Sequence, residues 1–252
     1  MDDTPQPITA HLSELRTRLF RLILAWGGAA VVCWTWAEDI FRFLLEPAVA
    51  ALGIHGGKLQ AIAPTEIFFT YLKCALLGGF FVSLPVIFWQ IWAFVAPGLY
   101  SSERRTIVPF VFVSTLLFSG GAVFGYTIVF PIIFNFFVTF DSDFVQSAWT
   151  MREVFALTTR LFLAFGIAFE LPIVVFFLSI SGIVSSRQLL MGTPYAILAV
   201  FVTSALITPP DVISQVFLAV PMIVLYLLGV GVAWIFGRRR SKSSDVTPVE
   251  HP

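Results

Sequence analysis

The most constraining feature of this 252-residue chain is a set of long apolar runs that contain no charged residue. The longest covers residues 107–140, which include no Asp, Glu, Lys or Arg. A helix needs about 20 apolar residues to cross a hydrocarbon core about 30 Å thick. Hydrophobic residues make up 58% of the chain and charged residues only 12%. This composition predicts an integral membrane protein and excludes a soluble domain.

Six apolar segments predict an all-α fold with six transmembrane helices in a single domain, residues 1–237. The predicted spans are residues 19–37, 74–96, 107–140, 154–180, 195–207 and 212–237. The fifth span is short against the roughly 20 residues that a bilayer requires. Residues 238–252 form a cytoplasmic tail that is first basic and then polar.

The distribution of Lys and Arg predicts the orientation of these spans. An even number of crossings, six, places both termini on the same side of the membrane. Most of the Lys and Arg residues fall on that side. They are Arg16, Arg18, Arg21, Arg104, Arg105, Arg187, Arg238, Arg239, Arg240 and Lys242. The positive-inside rule then predicts that both termini of this multi-pass protein are cytoplasmic. A location in the bacterial cytoplasmic (inner) membrane is what the family resemblance described below implies. Residues 40–52, with a central Pro47, have an apolar face and predict an interfacial helix across the outer opening.

Two segments place a glutamate among arginines beside a span: HLSELRTR, residues 11–18, and YSSERR, residues 100–105. On a helix, Glu14 lies beside Arg18, whereas Arg16 points about 160° away from it. One interpretation is an ordinary Glu14–Arg18 ion pair at the membrane surface, while the negative charge of Glu103 offsets the positive charge of the arginines beside it. The other is that the two carboxylates bind a cationic partner.

Glu170 lies deep in the fourth predicted span, where a carboxylate must face protein or a water-filled cavity. Arg160 is ten positions earlier on the same helix, about 15 Å along its axis, so a direct bond is not expected. Glu170 is then either neutral and hydrogen-bonded to another helix, or a functional group that faces a water-filled cavity. Gln90 and Gln215 are predicted to form interhelical hydrogen bonds. One open alternative is a proton- or ion-coupled carrier of a small solute that uses Glu170 and Arg160.

Motifs of soluble enzymes do not occur in this sequence. It contains no phosphate-binding loop, no HExxH and no metal-ligand spacing among His11, His55 and His251. The chain is therefore predicted not to be an enzyme and to need no metal or other cofactor. It also shows no feature that predicts nucleic-acid binding.

Five segments closely resemble the signature sequences of the TatC family, the six-span receptor subunit of the bacterial twin-arginine protein translocase. In chain order they are HLSELRTR (11–18), PTEIFFTYLK (64–73), FVAPGLYSSERR (94–105), AFGIAFELP (164–172) and TPPDVISQ (208–215). The resemblance runs from His11 to about Gly237. It implies a concave, glove-like bundle that receives signal peptides and exports folded proteins with the proton-motive force and without ATP.

The resemblance also implies roles for individual residues. Glu14 and Glu103 match the carboxylates that bind the paired arginines of signal peptides. Arg16, Phe94 and Arg105 match family positions on the same signal-recognition surface. Glu170 and Gln215 match polar positions on the membrane-embedded side that are implicated in docking the partner subunits. Gln90 is expected to be a further intramembrane polar or docking residue. Structural or loop roles are expected for Pro47, Glu66, Lys73, Pro85 and Asp211.

The implied partners are the single-span A-type and B-type subunits of the translocase and the twin-arginine signal peptides of folded cargo. Membrane lipid and further copies of the chain in a receptor complex are also expected.

Overall fold

The computed structural model describes residues 8–53, 58–95, 107–141, 148–208 and 211–236. Within these ranges the chain is helical and has no β-strand, and Gln60 and Thr150 form one isolated β-bridge. The described α-helices, in chain order, are α1 (Ile8–Cys33), α2 (Ala37–Gly53), α3 (Pro64–Val95), α4 (Ile107–Phe124), α5 (Phe130–Val138), α6 (Met151–Phe169), α7 (Leu171–Ile180), α8 (Ser186–Met191), α9 (Thr193–Ile207) and α10 (Val212–Phe236). The predicted all-α class is confirmed.

Five helical segments of the described chain are long and apolar enough to cross a membrane. They are Leu12–Gly53, Pro64–Val95, Ile107–Val138, Met151–Ile180 and Val212–Ile235. The remaining apolar helix, α9, has 15 residues and extends about 22 Å. This is less than the hydrocarbon thickness of about 30 Å, so the predicted short fifth helix is present.

The first segment differs from the sequence prediction, which separated a span at 19–37 from an interfacial helix at 40–52. Helix α1 ends at Cys33, and one 3₁₀ turn, Trp34–Trp36, leads directly into α2. The apolar face of α2 is covered by protein, since Leu44, Leu45 and Ala48 are buried in the main core with residues of α3 and α5. Helix α2 is therefore a packed part of the bundle rather than one that only rests on the membrane surface.

Two of the long segments are interrupted near a proline. A π-helical turn, Gly125–Val129, separates α4 from α5, and Pro131 follows it. Helices α6 and α7 meet at Glu170, with Pro172 just beyond. Proline has no N–H and its ring collides with the carbonyl group four residues earlier, so it breaks the regular helical ladder.

Close helix packing depends on glycines at the contacts. A Cβ atom on Gly79 of α3 would lie 2.5 Å from the backbone nitrogen of Ala30 in α1. A Cβ atom on Gly121 of α4 would collide with the backbone carbonyl of Phe165 in α6. A Cβ atom on the neighbouring Gly120 would meet nothing from other helices within 4 Å. Small residues allow backbones in a membrane to approach each other, which strengthens van der Waals contact.

Phenylalanine rings fill the centre of the bundle. Phe130, Phe134 and Phe165 are among the largest fully buried side chains. Phe162 lies edge-on to Phe130, with 5.4 Å between ring centroids, and to Phe81, with 5.5 Å. Such T-shaped pairs add about 0.5–1.5 kcal/mol beyond the burial of their area. The abundance of Phe in the sequence therefore serves interhelical packing.

Pro47 leaves a backbone carbonyl of α2 without its helical donor, and another helix supplies the replacement. Because proline has no N–H, the Phe43 carbonyl cannot form the usual bond within the helix. The Tyr126 hydroxyl donates to this carbonyl at 2.8 Å and lies 3.2 Å from Oε2 of Glu46. The Phe43 and Tyr126 rings also stack, with centroids 4.5 Å apart. These contacts connect α2, at the turn that contains Pro47, to the π-helical turn.

We predict that Gly121→Ala destabilises the protein by about 1–3 kcal/mol, because the new methyl group overpacks the contact between α4 and α6. The matched variant, Gly120→Ala, should be neutral or slightly stabilising, since its methyl group meets open space and Ala favours helix. Unfolding of the purified variants in mixed micelles measures both effects. Equal stability of the two variants would contradict this account of the packing.

We predict that Tyr126→Phe lowers the free energy of unfolding by about 1 kcal/mol, because the Phe43 carbonyl loses its donor. The loss should be smaller in a Pro47→Ala background, where the new N–H can donate to the same carbonyl. A double-mutant cycle in mixed micelles gives the coupling between the two positions. If Tyr126→Phe costs the same in both backgrounds, the hydroxyl does not replace the missing helical donor.

Candidate functional site

Three polar side chains connect α1 to the end of α3. The Arg18 guanidinium donates to Oε1 of Glu14 through Nε at 2.9 Å and through Nη2 at 2.5 Å. It also donates through Nη1 to Oε1 of Gln90 at 3.4 Å. The Arg18 side chain is 20% exposed and that of Glu14 is 40% exposed, so solvent reaches the carboxylate more easily than its partner. We call Glu14, Arg18 and Gln90 the polar cluster.

Further contacts set the register of α1 against α3. The Trp26 indole N–H donates to the carbonyl of Leu76 at 2.8 Å. The Ala30 backbone lies against Gly79, as described above. Because the two helices run in opposite directions, these contacts hold the polar cluster at the end where α3 approaches Val95.

The other residues that the resemblance assigns to signal recognition lie as follows. Phe94 is half-buried and follows Gln90 by four positions, so both lie on the same face of α3. Arg16 is exposed and forms no hydrogen bond or ion pair with a described residue. Glu103 and Arg105 lie outside the described residues, in the connection between α3 and α4. The structure thus brings Glu14 to the end of the bundle that carries Phe94.

Glu170 occupies the break between α6 and α7. Its Oε1 is buried and has no hydrogen-bond partner among the described residues. The Ser114 hydroxyl and the backbone of Phe118, both in α4, face its carboxyl group. Ser114 is fully buried and accepts a hydrogen bond from the Trp92 indole N–H at 2.9 Å. A polar path therefore runs through the apolar interior from α3 through α4 to Glu170.

Trp92 and Ser114 extend the polar surroundings of Glu170, and the sequence did not reveal them. The hydroxyl of the adjacent Thr115 simply donates to the Val111 carbonyl of its own helix at 2.8 Å. Isolated hydroxyl residues in apolar helices commonly bond to the preceding turn in this way. Only the packing of α3 on α4 shows that Ser114 differs from Thr115.

Arg160 and Glu170 are not brought together. Arg160 is exposed and lines a cavity near the beginning of α6, whereas Glu170 caps the other end of that helix. No hydrogen bond or ion pair joins Arg160 to any described residue. The two groups therefore do not form one polar site of the kind that the carrier alternative requires.

Gln215 and Asp211 organise the beginning of α10. The Gln215 side-chain amide donates to the Phe201 carbonyl of α9 at 3.0 Å. Asp211 Oδ1 accepts a hydrogen bond from the backbone N–H of Ser214 at 2.6 Å, as an N-terminal cap does. Asp211 is thus a helix cap, and Gln215 ties α10 to α9.

Glu66 joins the beginnings of α3 and α6. Its Oε2 accepts from the backbone N–H of Ile62 at 2.9 Å and its Oε1 from that of Arg152 at 2.7 Å. The β-bridge between Gln60 and Thr150 lies beside these two hydrogen bonds. The remaining residues with expected structural roles, Lys73 and Pro85, are both exposed on α3.

A resident metal has no evident site in the described part of the chain, where no three or more His, Cys, Asp and Glu side chains converge suitably. The chemistry available at the polar cluster is instead that of a partly exposed carboxylate beside a guanidinium. Such a site recognises hydrogen-bond donors and cations.

Comparison with known proteins identifies the family. Residues 10–221 match the family model described as "Sec-independent protein translocase protein (TatC)". The chain is 41% identical to the Sec-independent protein translocase protein TatC of Desulforapulum autotrophicum over 97% of its own length and 90% of that protein. It is 38% identical to the TatC protein of Haemophilus influenzae, covering 96% of this chain and 94% of that one. A crystal structure of the twin-arginine translocase receptor TatC has a TM-score of 0.80 and 34% identity, covering 89% of this chain and 98% of that one. The chain therefore belongs to the TatC family of Sec-independent protein translocase proteins.

Proposed function

We propose that this member of the TatC family is the signal-peptide receptor and core subunit of a twin-arginine translocase. It binds twin-arginine signal peptides at the cytoplasmic face of the bacterial inner membrane, where both of its termini lie. It organises single-span A-type and B-type subunits and further copies of itself to export folded proteins with the proton-motive force. The observation that carries this proposal is the polar cluster, which holds the Glu14 carboxylate at the Phe94 end of the bundle.

The chemistry of the cluster suits a peptide that carries two arginines. A guanidinium group presents a planar fork of N–H donors that can pair with both oxygens of a carboxylate. Two carboxylates, from Glu14 and Glu103, can then take one arginine each. Lysine offers a compact ammonium group without that fork, so a lysine pair binds less well.

Arg18 already occupies the Glu14 carboxylate, so an incoming arginine competes with it. The guanidinium group of Arg18 has a second acceptor in Gln90, at 3.4 Å. Arg18 can keep that contact while its bonds to Glu14 loosen. Gln90 thereby lowers the cost of freeing the carboxylate, and Arg18 keeps Glu14 oriented when no peptide is bound.

We predict that Glu103→Gln and Glu14→Gln each weaken binding of a twin-arginine signal peptide about 10- to 100-fold. This range corresponds to the loss of about 1.5–3 kcal/mol from a hydrogen bond to a charged group. Arg18→Gln should strengthen binding, because the competing cation is removed. Photo-crosslinking or anisotropy with a labelled peptide, titrated against the full chain in detergent, measures these affinities.

Glu38→Gln is the matched control, since Glu38 also pairs with an arginine four positions later, Arg42, but in α2. It should leave the affinity unchanged. A peptide with two lysines should bind the unmodified chain more weakly and respond less to Glu103→Gln. Unchanged affinity in Glu103→Gln, or equal binding of arginine and lysine peptides, would overturn the proposed arginine site.

The second part of the proposal is that Glu170 and Gln215 serve the docking of single-span partners. Large apolar residues of α9 are widely exposed, among them Tyr195 at 77% and Leu206 at 79%. The Glu170 carboxyl retains an acceptor, Oε1, that no described residue uses. An intramembrane polar group with spare hydrogen-bonding capacity can bind a polar residue of a transmembrane helix.

We predict that Glu170→Ala reduces cross-linking to the B-type and A-type subunits and lowers export of a folded reporter by an order of magnitude or more. Removal of the polar group takes away the hydrogen bond that positions the partner helix. Glu38→Ala, a change of the same chemistry at an exposed site, should alter neither measurement. Normal cross-linking and export in Glu170→Ala would exclude the docking role while leaving the arginine site untouched.

A further inference from the structure

Arg160 is a cation inside a membrane-spanning helix, and no carboxylate of the described residues forms an ion pair with it. It follows the first residue of α6, Met151, by nine positions, about 14 Å along the helix axis. Its side chain is exposed and forms no hydrogen bond or ion pair with any described residue. A charged group at this depth is costly unless it faces water or an opposite charge.

The Arg160 side chain faces a cavity of about 650 Å³ at the end of the bundle where α5 ends and α6 begins. Aromatic residues, including Phe137, Phe140 and Trp149, form much of its wall. Protein pockets for small ligands have volumes of about 300–1,000 Å³, so this space can take more than a single ion. Aromatic side chains of this kind are enriched at the level of lipid headgroups.

Glu153 lines the same cavity and places a negative charge nearer the beginning of α6. It precedes Arg160 by seven positions, which is about two turns, or about 10 Å along the helix axis. The two side chains therefore lie on the same face of α6 without being paired with each other. The cavity thus presents a carboxylate near the beginning of α6 and a cation about two turns farther along the same helix.

We propose that this cavity binds the headgroup of a phospholipid of the adjacent leaflet, one that carries both a phosphate and a primary ammonium group. The Arg160 guanidinium donates to the phosphate, and the Glu153 carboxylate accepts from the ammonium group. In a bilayer the phosphate lies deeper than the amine, which matches the order of Arg160 and Glu153 along α6. Phe140, which is 66% exposed, offers an apolar surface to the acyl region.

The complementarity of charge favours an ethanolamine headgroup over the alternatives. A lipid with a glycerol headgroup has the phosphate but no ammonium group for Glu153. A choline headgroup has a quaternary ammonium with no N–H to donate. Diacylglycerol has neither charge, so it tests whether the apolar walls alone retain a lipid.

The experiment is native mass spectrometry of the full chain in detergent, titrated with dioleoyl phosphatidylethanolamine, phosphatidylglycerol, phosphatidylcholine or diacylglycerol. The unmodified chain should bind the ethanolamine lipid about tenfold more tightly than the other phospholipids. Arg160→Gln should weaken binding of all three phospholipids at least tenfold. Glu153→Gln should abolish the preference for ethanolamine and leave binding of phosphatidylglycerol unchanged or stronger.

Two further variants separate recognition from nonspecific effects. Arg160→Lys keeps the positive charge and should retain most of the binding, which also shows that the site still folds. Arg152→Gln removes an exposed arginine of the same helix whose side chain does not line the cavity, and it should have no effect. The midpoint of thermal unfolding in detergent checks that each variant is folded.

The proposal is overturned if Arg160→Gln binds the ethanolamine lipid as tightly as the unmodified chain. It is equally overturned if Arg152→Gln causes the same loss, which would indicate attraction by general surface charge. Binding of diacylglycerol as tight as that of the ethanolamine lipid would show an apolar groove without headgroup recognition. None of these outcomes depends on signal-peptide binding, so the result is independent of the proposed receptor function.

Discussion

A bilayer offers no hydrogen-bond partner to a backbone N–H or carbonyl group, and the architecture of this protein follows from that constraint. Continuous helices satisfy the backbone over most of each span. Where proline interrupts the ladder, another element must compensate, as the Tyr126 hydroxyl does for the carbonyl that Pro47 leaves free. The break between α6 and α7 before Pro172 places Glu170 among buried groups of α4. The irregular positions are thus where helices become joined to one another.

The same constraint explains the polar side chains of the bundle. In the polar cluster, Arg18 satisfies acceptors on two helices, and it does so at a helix end where solvent still reaches Glu14. Inside the bundle, Trp92 and Ser114 pair with each other across α3 and α4. Glu170 and Arg160 are exceptions, because each retains capacity that the described residues do not use. Unused polar capacity in a membrane protein is informative, since it is costly unless a ligand, a lipid or a partner employs it.

Some features of the structure could be predicted from the sequence and others could not, and the reasons are physical. The apolar runs predicted the helices and the short fifth span, because length and hydropathy alone decide whether a segment can cross a bilayer. Helix α2 was less predictable, since an amphipathic segment can lie on lipid or on protein, and the sequence does not say which neighbour covers Leu44 and Leu45. The concave shape, the cytoplasmic termini and the roles of Glu103 and Arg105 remain predictions.

The sequence by itself determined the all-helical membrane class, the placement of Glu14 beside Arg18 on one helix and, through its motifs, the family. These are properties of local spacing and composition, which need no knowledge of neighbouring helices. Only the tertiary structure decided that Arg18 also reaches Gln90, 72 positions away, that Ser114 rather than Thr115 pairs with Trp92, and that Arg160 and Glu153 share one cavity. Contacts between helices depend on their register and rotation, which close packing at residues such as Gly79 and Gly121 sets in three dimensions.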